Sequence, residues 1–334
     1  MTVLPPRANP DLFGHAAQAQ ALAAAARSGR LAHAWLFCGP PGIGKATLAY
    51  RFARWLLAGG PPWTEGTTPL HLPEGDPMSR RVAVGAHADI LTLEPQAEAG
   101  KRRIIRVDEV RSARHFLALT PAEGGWRVVL VDEAEAMEAA SANTILKTLE
   151  EPPPRTVIIL ISHAPGRLLT TIRSRCRRID FFPLPDGPMA DCLARLLPDV
   201  DSGERAALME LAEGSPGRAI ELAQGQGVEL ARLAAGVLAA LPTAEGAHAL
   251  ADRIAGREAA LAFPAFFALL TRQLTQAVRA AARGEGAPAW LAGRPLAAWA
   301  EAATLITRQA QEAERLALDR RQAVLVAMET LRGR

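Results

Sequence analysis

Three short runs of consecutive apolar residues punctuate the first half of the chain: Trp35 to Cys38, Arg127 to Val131 and Val157 to Ile161. Each is too short for a core helix and is bounded by turn-forming residues. Each therefore predicts a strand buried on both faces. A weaker run, Asp89 to Leu93, predicts a further strand. Between them the apolar period changes to that of a helix. Residues 16–28 form one such segment, ending near Gly29. Leu48, Phe52, Trp55 and Leu56 share one face of a second, which reaches about Ala58. A third begins at Val107, with Asp108 as the expected N-cap and Val110, Phe116 and Leu117 as its apolar side. A fourth, Ser141 to Leu149, is stopped by Pro152-Pro153-Pro154. Buried strands alternating with helices predict an α/β fold with a parallel sheet and helices on both faces.

The pattern changes after Pro183-Leu184-Pro185. No strand run follows, and Ala- and Leu-rich helical segments fill the rest. The expected division is 1–182, 183–227 and 228–334, with the second boundary near Gly225-Gln226-Gly227. The last helix is expected over Leu316 to Leu331, amphipathic through Leu316, Val324, Leu325, Met328 and Leu331. Residues 59–87, where Gly and Pro recur without period, predict an irregular surface excursion.

The sharpest local signal is Gly39-Pro40-Pro41-Gly42-Ile43-Gly44-Lys45-Ala46-Thr47, between the first strand and the second helix. Strand, glycine-rich turn and helix start make a phosphate cradle, in which backbone N–H groups point inward and Lys45 reaches the terminal phosphates. The residue after the lysine should carry a hydroxyl for Mg²⁺, and here it is Ala46. Thr47 comes one residue late, about a quarter-turn away on the helix. Asp132-Glu133, at the end of the second buried strand, supply the expected carboxylates: Asp132 to hold Mg²⁺ through water and Glu133 to polarise an attacking water. Ser174-Arg175-Cys176 lies in a basic turn with Arg173, Arg177 and Arg178.

Composition narrows the function classes. The chain has 334 residues, 49% apolar and 22% charged, enough for more than one core. A net charge of +3 does not by itself point to nucleic acid, although the pI of about 9.0 permits it. Three scattered cysteines, Cys38, Cys176 and Cys192, argue against a disulfide framework and a four-cysteine zinc site. The N-terminal residues do not resemble a signal peptide, and no apolar run approaches bilayer length. A soluble, cytoplasmic protein is expected.

The run Leu146-Lys147-Thr148-Leu149-Glu150-Glu151-Pro152-Pro153, the Ser174-Arg175-Cys176 triplet and the Asp132-Glu133 strand end resemble, in that order, the AAA+ clamp-loader subunits of bacterial DNA polymerase III. His33-Ala34-Trp35-Leu36 and Asp319-Arg320 fit the same family. The resemblance implies an AAA+ domain, a small helical lid and an all-α oligomerisation collar over the three segments above. Among family members it is closer to the delta-prime type than to the gamma/tau motor. Ala46 impairs the loop, the motor's basic N-terminal opening is missing, and the length carries no long tail. Arg175 is then an arginine finger offered in trans to ATP on a neighbouring subunit, a device worth about 10³–10⁵ in rate. Ser162 or His163 falls at sensor 1. Gly217 occupies the sensor 2 arginine position, with Arg218 one residue late.

The implied partners are the gamma/tau and delta subunits of a hetero-pentamer, the sliding clamp and primer–template DNA, with no membrane. ATP or ADP with Mg²⁺ is the implied cofactor, and the chain's own ATPase is expected to be weak or absent. Relatives often carry four zinc-binding cysteines in the insert after the first helix; residues 59–87 contain none, so no zinc is expected. Arg111 and Arg114, three apart on one helix, are candidate contacts to DNA phosphates. An autonomous gamma/tau-type motor and a small-molecule P-loop kinase remain as alternatives.

Overall fold

The computed structural model describes residues 4–62, 68–73, 75–96, 103–123, 125–224, 226–255, 262–316 and 318–333. It divides into two compact units, Met1–Ile220 and Glu221–Arg334.

The first unit is built on a five-stranded, wholly parallel sheet of β1 (Ala34–Cys38), β2 (Ile90–Leu93), β3 (Arg127–Val131), β4 (Thr156–Ser162) and β5 (Arg177–Asp180). The strand order is β2-β3-β4-β1-β5. β1, β3 and β4 are buried throughout, as their continuous apolar runs require. Alternate residues of each strand feed two cores. Trp35, Phe37, Val128, Leu130, Val157 and Ile159 face one side, together with α1 (Ala16–Arg27) and α2 (Lys45–Leu57). Leu36, Cys38, Val129, Val131, Ile158 and Leu160 face the other, with α4 (Val107–Ala118) and α5 (Ala139–Glu150).

Three local expectations in the first unit need correction. The segment 59–87 is not wholly irregular: it contains α3 (Pro77–Ala83), capped by the Asp76 carboxylate accepting from the Ser79 N–H at 3.0 Å. Seven residues are too few for helical periodicity to show, and only Asp76-Pro77 marks the start. Residues 63–67 and 74 of that segment lie outside the described residues. At α4 the N-cap is Arg106, whose N–H donates to Glu109 Oε2 at 2.7 Å; Asp108 lies inside the first turn and pairs with Arg111 at 2.9 Å. The basic run after Cys176 is the edge strand β5, which escapes notice because Arg177, Arg178 and Asp180 are exposed.

A buried ion pair ties the far end of the sheet together. Asp89 accepts from the N–H groups of Ala122 and Glu123 at 2.9 and 3.2 Å, and lies 3.5 Å from the Arg127 guanidinium. Arg127 also donates to the carbonyls of Phe116 and Thr120. These bonds offset the cost of holding both charges out of water.

After β5 the first unit continues through α7 (Asp186–Leu196), α8 (Ser202–Ala212) and the start of α9 (Pro216–Gln224). A short helix α6 (Thr170–Arg173) lies between β4 and β5. The second unit is helical: α10 (Gly227–Ala239), α11 (Ala244–Ala255), α12 (Ala262–Arg283), α13 (Leu296–Arg315) and α14 (Arg320–Arg332). α12 packs between α10 and α13, and α11 packs on α14. The last helix starts later than expected. Asp319 is its N-cap, accepting from the N–H groups of Arg321 and Gln322. Leu316 instead caps the end of α13 and is 55% exposed. Gly225, at the expected second boundary, lies outside the described residues.

Candidate nucleotide site and arginine finger

The carboxyl ends of β1, β3 and β4 lie side by side, with Cys38 opposite Ser162 and Val131 opposite Leu160. In an open parallel sheet this is where ligands bind. The chain leaves β1 at Gly39, whose N–H donates to Ser162 O at 3.3 Å, and turns through Gly44 (φ 100°) into α2. The Gly39-to-Gly44 turn at this helix start has the backbone of a phosphate cradle.

Lys45 is almost wholly buried and donates to the carbonyls of Gly39 (2.7 Å) and Pro40. Burial pulls its pKa down to about 8, against the opposing pull of Asp132 and Glu135. Ala46 packs against the core, with no hydroxyl to offer a metal. Thr47 follows it in the first turn of α2, half-buried.

The two carboxylates of the Asp132-Glu133 pair part company. Glu133 adopts the left-handed conformation (φ 46°), and its carboxylate accepts from Arg103 at 3.1 Å. Glu135, which the sequence did not single out, lies against the end of β4, close enough to Lys45 to act on its charge. Its Oε1 accepts from the His163 N–H at 2.8 Å, and Ser162 lies near enough to favour its charged form. Burial opposes ionisation of Glu135, but the hydrogen bonds outweigh it and hold the carboxyl below the usual range. Burial, helped by the charge of Lys45, pushes the His163 imidazole down. Glu135 Oε2 and His163 Nδ1 are buried without a hydrogen-bond partner. Orphaned polar atoms within electrostatic reach of a buried lysine at a glycine-rich helix start fit a phosphate-bearing ligand with its cation, which Gly42, Gly44, Lys45 and Asp132 would hold. The identity of residue 135 has a signal only in retrospect, as one carboxylate more than the motif requires.

A second group missed by sequence is His15. It precedes α1 in the left-handed region (φ 54°), and its Nε2 bonds Ile43 O at 2.7 Å. Its ring meets Phe181 edge-on at 4.9 Å. Burial lowers its pKa. Nothing in residues 10–20 announces this contact, since it depends on the approach of β1 and β5.

The start of α9 sits on the phosphate loop. The Gly217 N–H donates to Gly42 O at 2.8 Å, and the Ser215 hydroxyl donates to Pro41 O at 3.0 Å. Glycine is required on both sides: a Cβ on Gly217 would stand 2.8 Å from Gly42 Cα, and one on Gly42 would stand 2.5 Å from Ser215 Oγ. The backbone of Arg218 lies at the same contact, its N–H 3.4 Å from Ser215 Oγ.

Arg175 follows α6, about one-third exposed. It donates to Thr171 O at 3.0 Å and to Glu150 Oε1 at 2.7 Å. The neighbouring Cys176 thiol is pushed up to about 12 by burial. Arg111 and Arg114 are both exposed on α4. Among the described residues no helix is long and apolar enough to cross a membrane.

A family profile described as "DNA polymerase III, delta subunit" matches residues 14–185, just over half of the chain. The chain is 43% identical over 198 residues to DNA polymerase III subunit delta' of Pseudomonas aeruginosa, covering 59% of this chain and 57% of that one. It is 38% identical over 204 residues to the Escherichia coli subunit delta', covering 61% and 58%. The aligned stretch thus spans less than two thirds of these relatives' own length. A crystal structure of a DNA polymerase III gamma subunit-related protein from Thermotoga maritima superposes over 95% of this chain and 99% of its own, with a TM-score of 0.51 at 17% identity. That likeness establishes the fold, an AAA+-type parallel-sheet domain followed by a helical region. The chain belongs to the DNA polymerase III delta-prime subunit family, within the clamp-loader AAA+ group.

Proposed function

We propose that this chain is a non-motor subunit of the DNA polymerase III clamp loader. It supplies Arg175 in trans to ATP bound by a neighbouring subunit while the sliding clamp is loaded on primed DNA. The observation that carries this reading is a contrast within one chain. The hydroxyl that a metal needs beside the chain's own phosphate loop is missing at Ala46, whereas Arg175 is retained with its guanidinium about one-third exposed, paired with Glu150. A chain that assists a neighbour needs the arginine and not the hydroxyl.

On this reading the phosphate loop is a nucleotide-binding element of weak or absent turnover, with Mg²⁺ held by Asp132. Gly39, Gly42, Gly44, Lys45, Ala46 and Thr47 line the loop. Ser162 and His163 stand at sensor 1, and Arg218 flanks the lid contact. Segments 1–182, 183–227 and 228–334 act as AAA+ domain, lid and collar. The collar joins gamma/tau and delta subunits in a hetero-pentamer. Arg111 and Arg114 offer charge to primer–template phosphates, Arg111 partly neutralised by Asp108. The chain works in the cytoplasm with no zinc.

The deciding experiment is reconstitution with gamma and delta subunits and the clamp. Arg175→Ala should cut DNA-stimulated ATPase by about 10³-fold or more at the served site and abolish loading that depends on it. Full activity with Arg175→Ala would sink the proposal.

A further inference from the structure

We propose that Glu150 is the positioning residue of Arg175, setting the guanidinium in the orientation it offers to the neighbour's phosphates. This rests on the finger role proposed above. The placement is built from the backbone outward. Pro152-Pro153-Pro154 stop α5, so its last residue is Glu150. Leu149, one residue earlier, is buried at 2% exposure, and Ile172 of α6 is fully buried in the same core cluster. These two apolar anchors fix α5 against α6, and with them the separation of residues 150 and 175.

The guanidinium is then held from two directions, by Thr171 O at 3.0 Å from the preceding helix α6 and by Glu150 Oε1 at 2.7 Å from α5. A guanidinium has five N–H donors in a rigid planar fork. Two contacts on that fork define its plane and leave the other donors for an anion. Both side chains are open to an incoming partner, at 36% and 49% exposure. An exposed ion pair of this kind adds little to fold stability. Its consequence is orientation, on which electrostatic stabilisation of a transferring phosphoryl group depends.

The test uses the reconstituted assembly with four versions of this chain: unaltered, Glu150→Ala, Arg175→Ala and the double variant. Glu150→Gln, which keeps the shape and one acceptor, runs beside them and takes the place of Glu150→Ala if that variant does not assemble. Glu150→Ala should lower the kcat of DNA-stimulated ATP hydrolysis roughly ten-fold with KM for ATP unchanged. Glu150→Asp, added as the variant that keeps the carboxylate, should restore part of it. In the Arg175→Ala background Glu150→Ala should produce no further fall, because Glu150 acts through the finger. Two results overturn the inference while leaving the finger intact: a Glu150→Ala assembly as fast as the unaltered one, or an equal fall with and without Arg175. If Arg175→Ala is itself silent, the finger reading fails first and this one with it.

Discussion

Replacing Lys45 by methionine should change how stability depends on pH more than it changes stability at neutrality. Lys45 is 3% exposed, and burial brings its pKa from 10.5 to about 8. Below about pH 8 the ammonium is charged in both folded and unfolded chains, and the folded chain bears the full cost of desolvating it. That displacement corresponds to about 3 kcal/mol. Between about pH 8 and 10.5 the unfolded chain binds more protons than the folded one, so stability gains from this group as pH rises. Methionine removes the desolvation cost but leaves the carbonyls of Gly39 and Pro40 without their donor, at about 1–3 kcal/mol each. At neutral pH the two effects nearly cancel.

The discriminating quantity is the difference between the two proteins' unfolding free energies, followed by urea denaturation across that pH range. It should move by about 3 kcal/mol in favour of the unaltered chain as pH rises. Burial pushes the thiols of Cys176 and Cys192 up to about 12, which gives alkaline pH the opposite effect on absolute stability. Both proteins share those groups, so they drop out of the difference. Parallel pH profiles would refute the claim that the loop lysine is held out of water.

Two further tests address the framework of the site. Gly217→Ala places a Cβ 2.8 Å from Gly42 Cα, so overpacking should cost about 1–3 kcal/mol and hydrogen exchange should speed up at residues 215–219; unchanged protection there would show that the contact does not hold the segment. Asp89→Ala strands the buried Arg127 guanidinium and should cost about 3–5 kcal/mol in chemical denaturation. Asp89→Asn, which keeps an acceptor for Ala122 and Glu123 but loses the charge, should cost less, and an Asp89→Asn chain as stable as the unaltered one would remove the ion pair from the account.

The legible parts of this protein are those where one physical signal dominates. β1, β3 and β4 are continuous apolar runs because they are buried on both faces, and Arg127–Val131 coincides with β3. The proline stop after α5 and the glycine-rich turn before α2 are equally local. α3 was hidden by its brevity, and β5 by the exposed charges of an edge strand. Motif spacing located Asp132, Lys45 and Arg175 in sequence. It could not say which way a carboxylate points.

The sequence by itself determined the strand–loop–helix order, the alternation that forces a parallel sheet, and the motifs that mark the family. Only the tertiary structure decided that Glu135 meets the His163 N–H while Glu133 pairs with Arg103, that Gly217 touches Gly42, and that Glu150 holds Arg175. The physical reason is the same in each case. Local propensity and apolar period are properties of neighbouring residues. These contacts join residues far apart in the chain, or hang on a single left-handed backbone angle, and exist only once the sheet has brought their elements together.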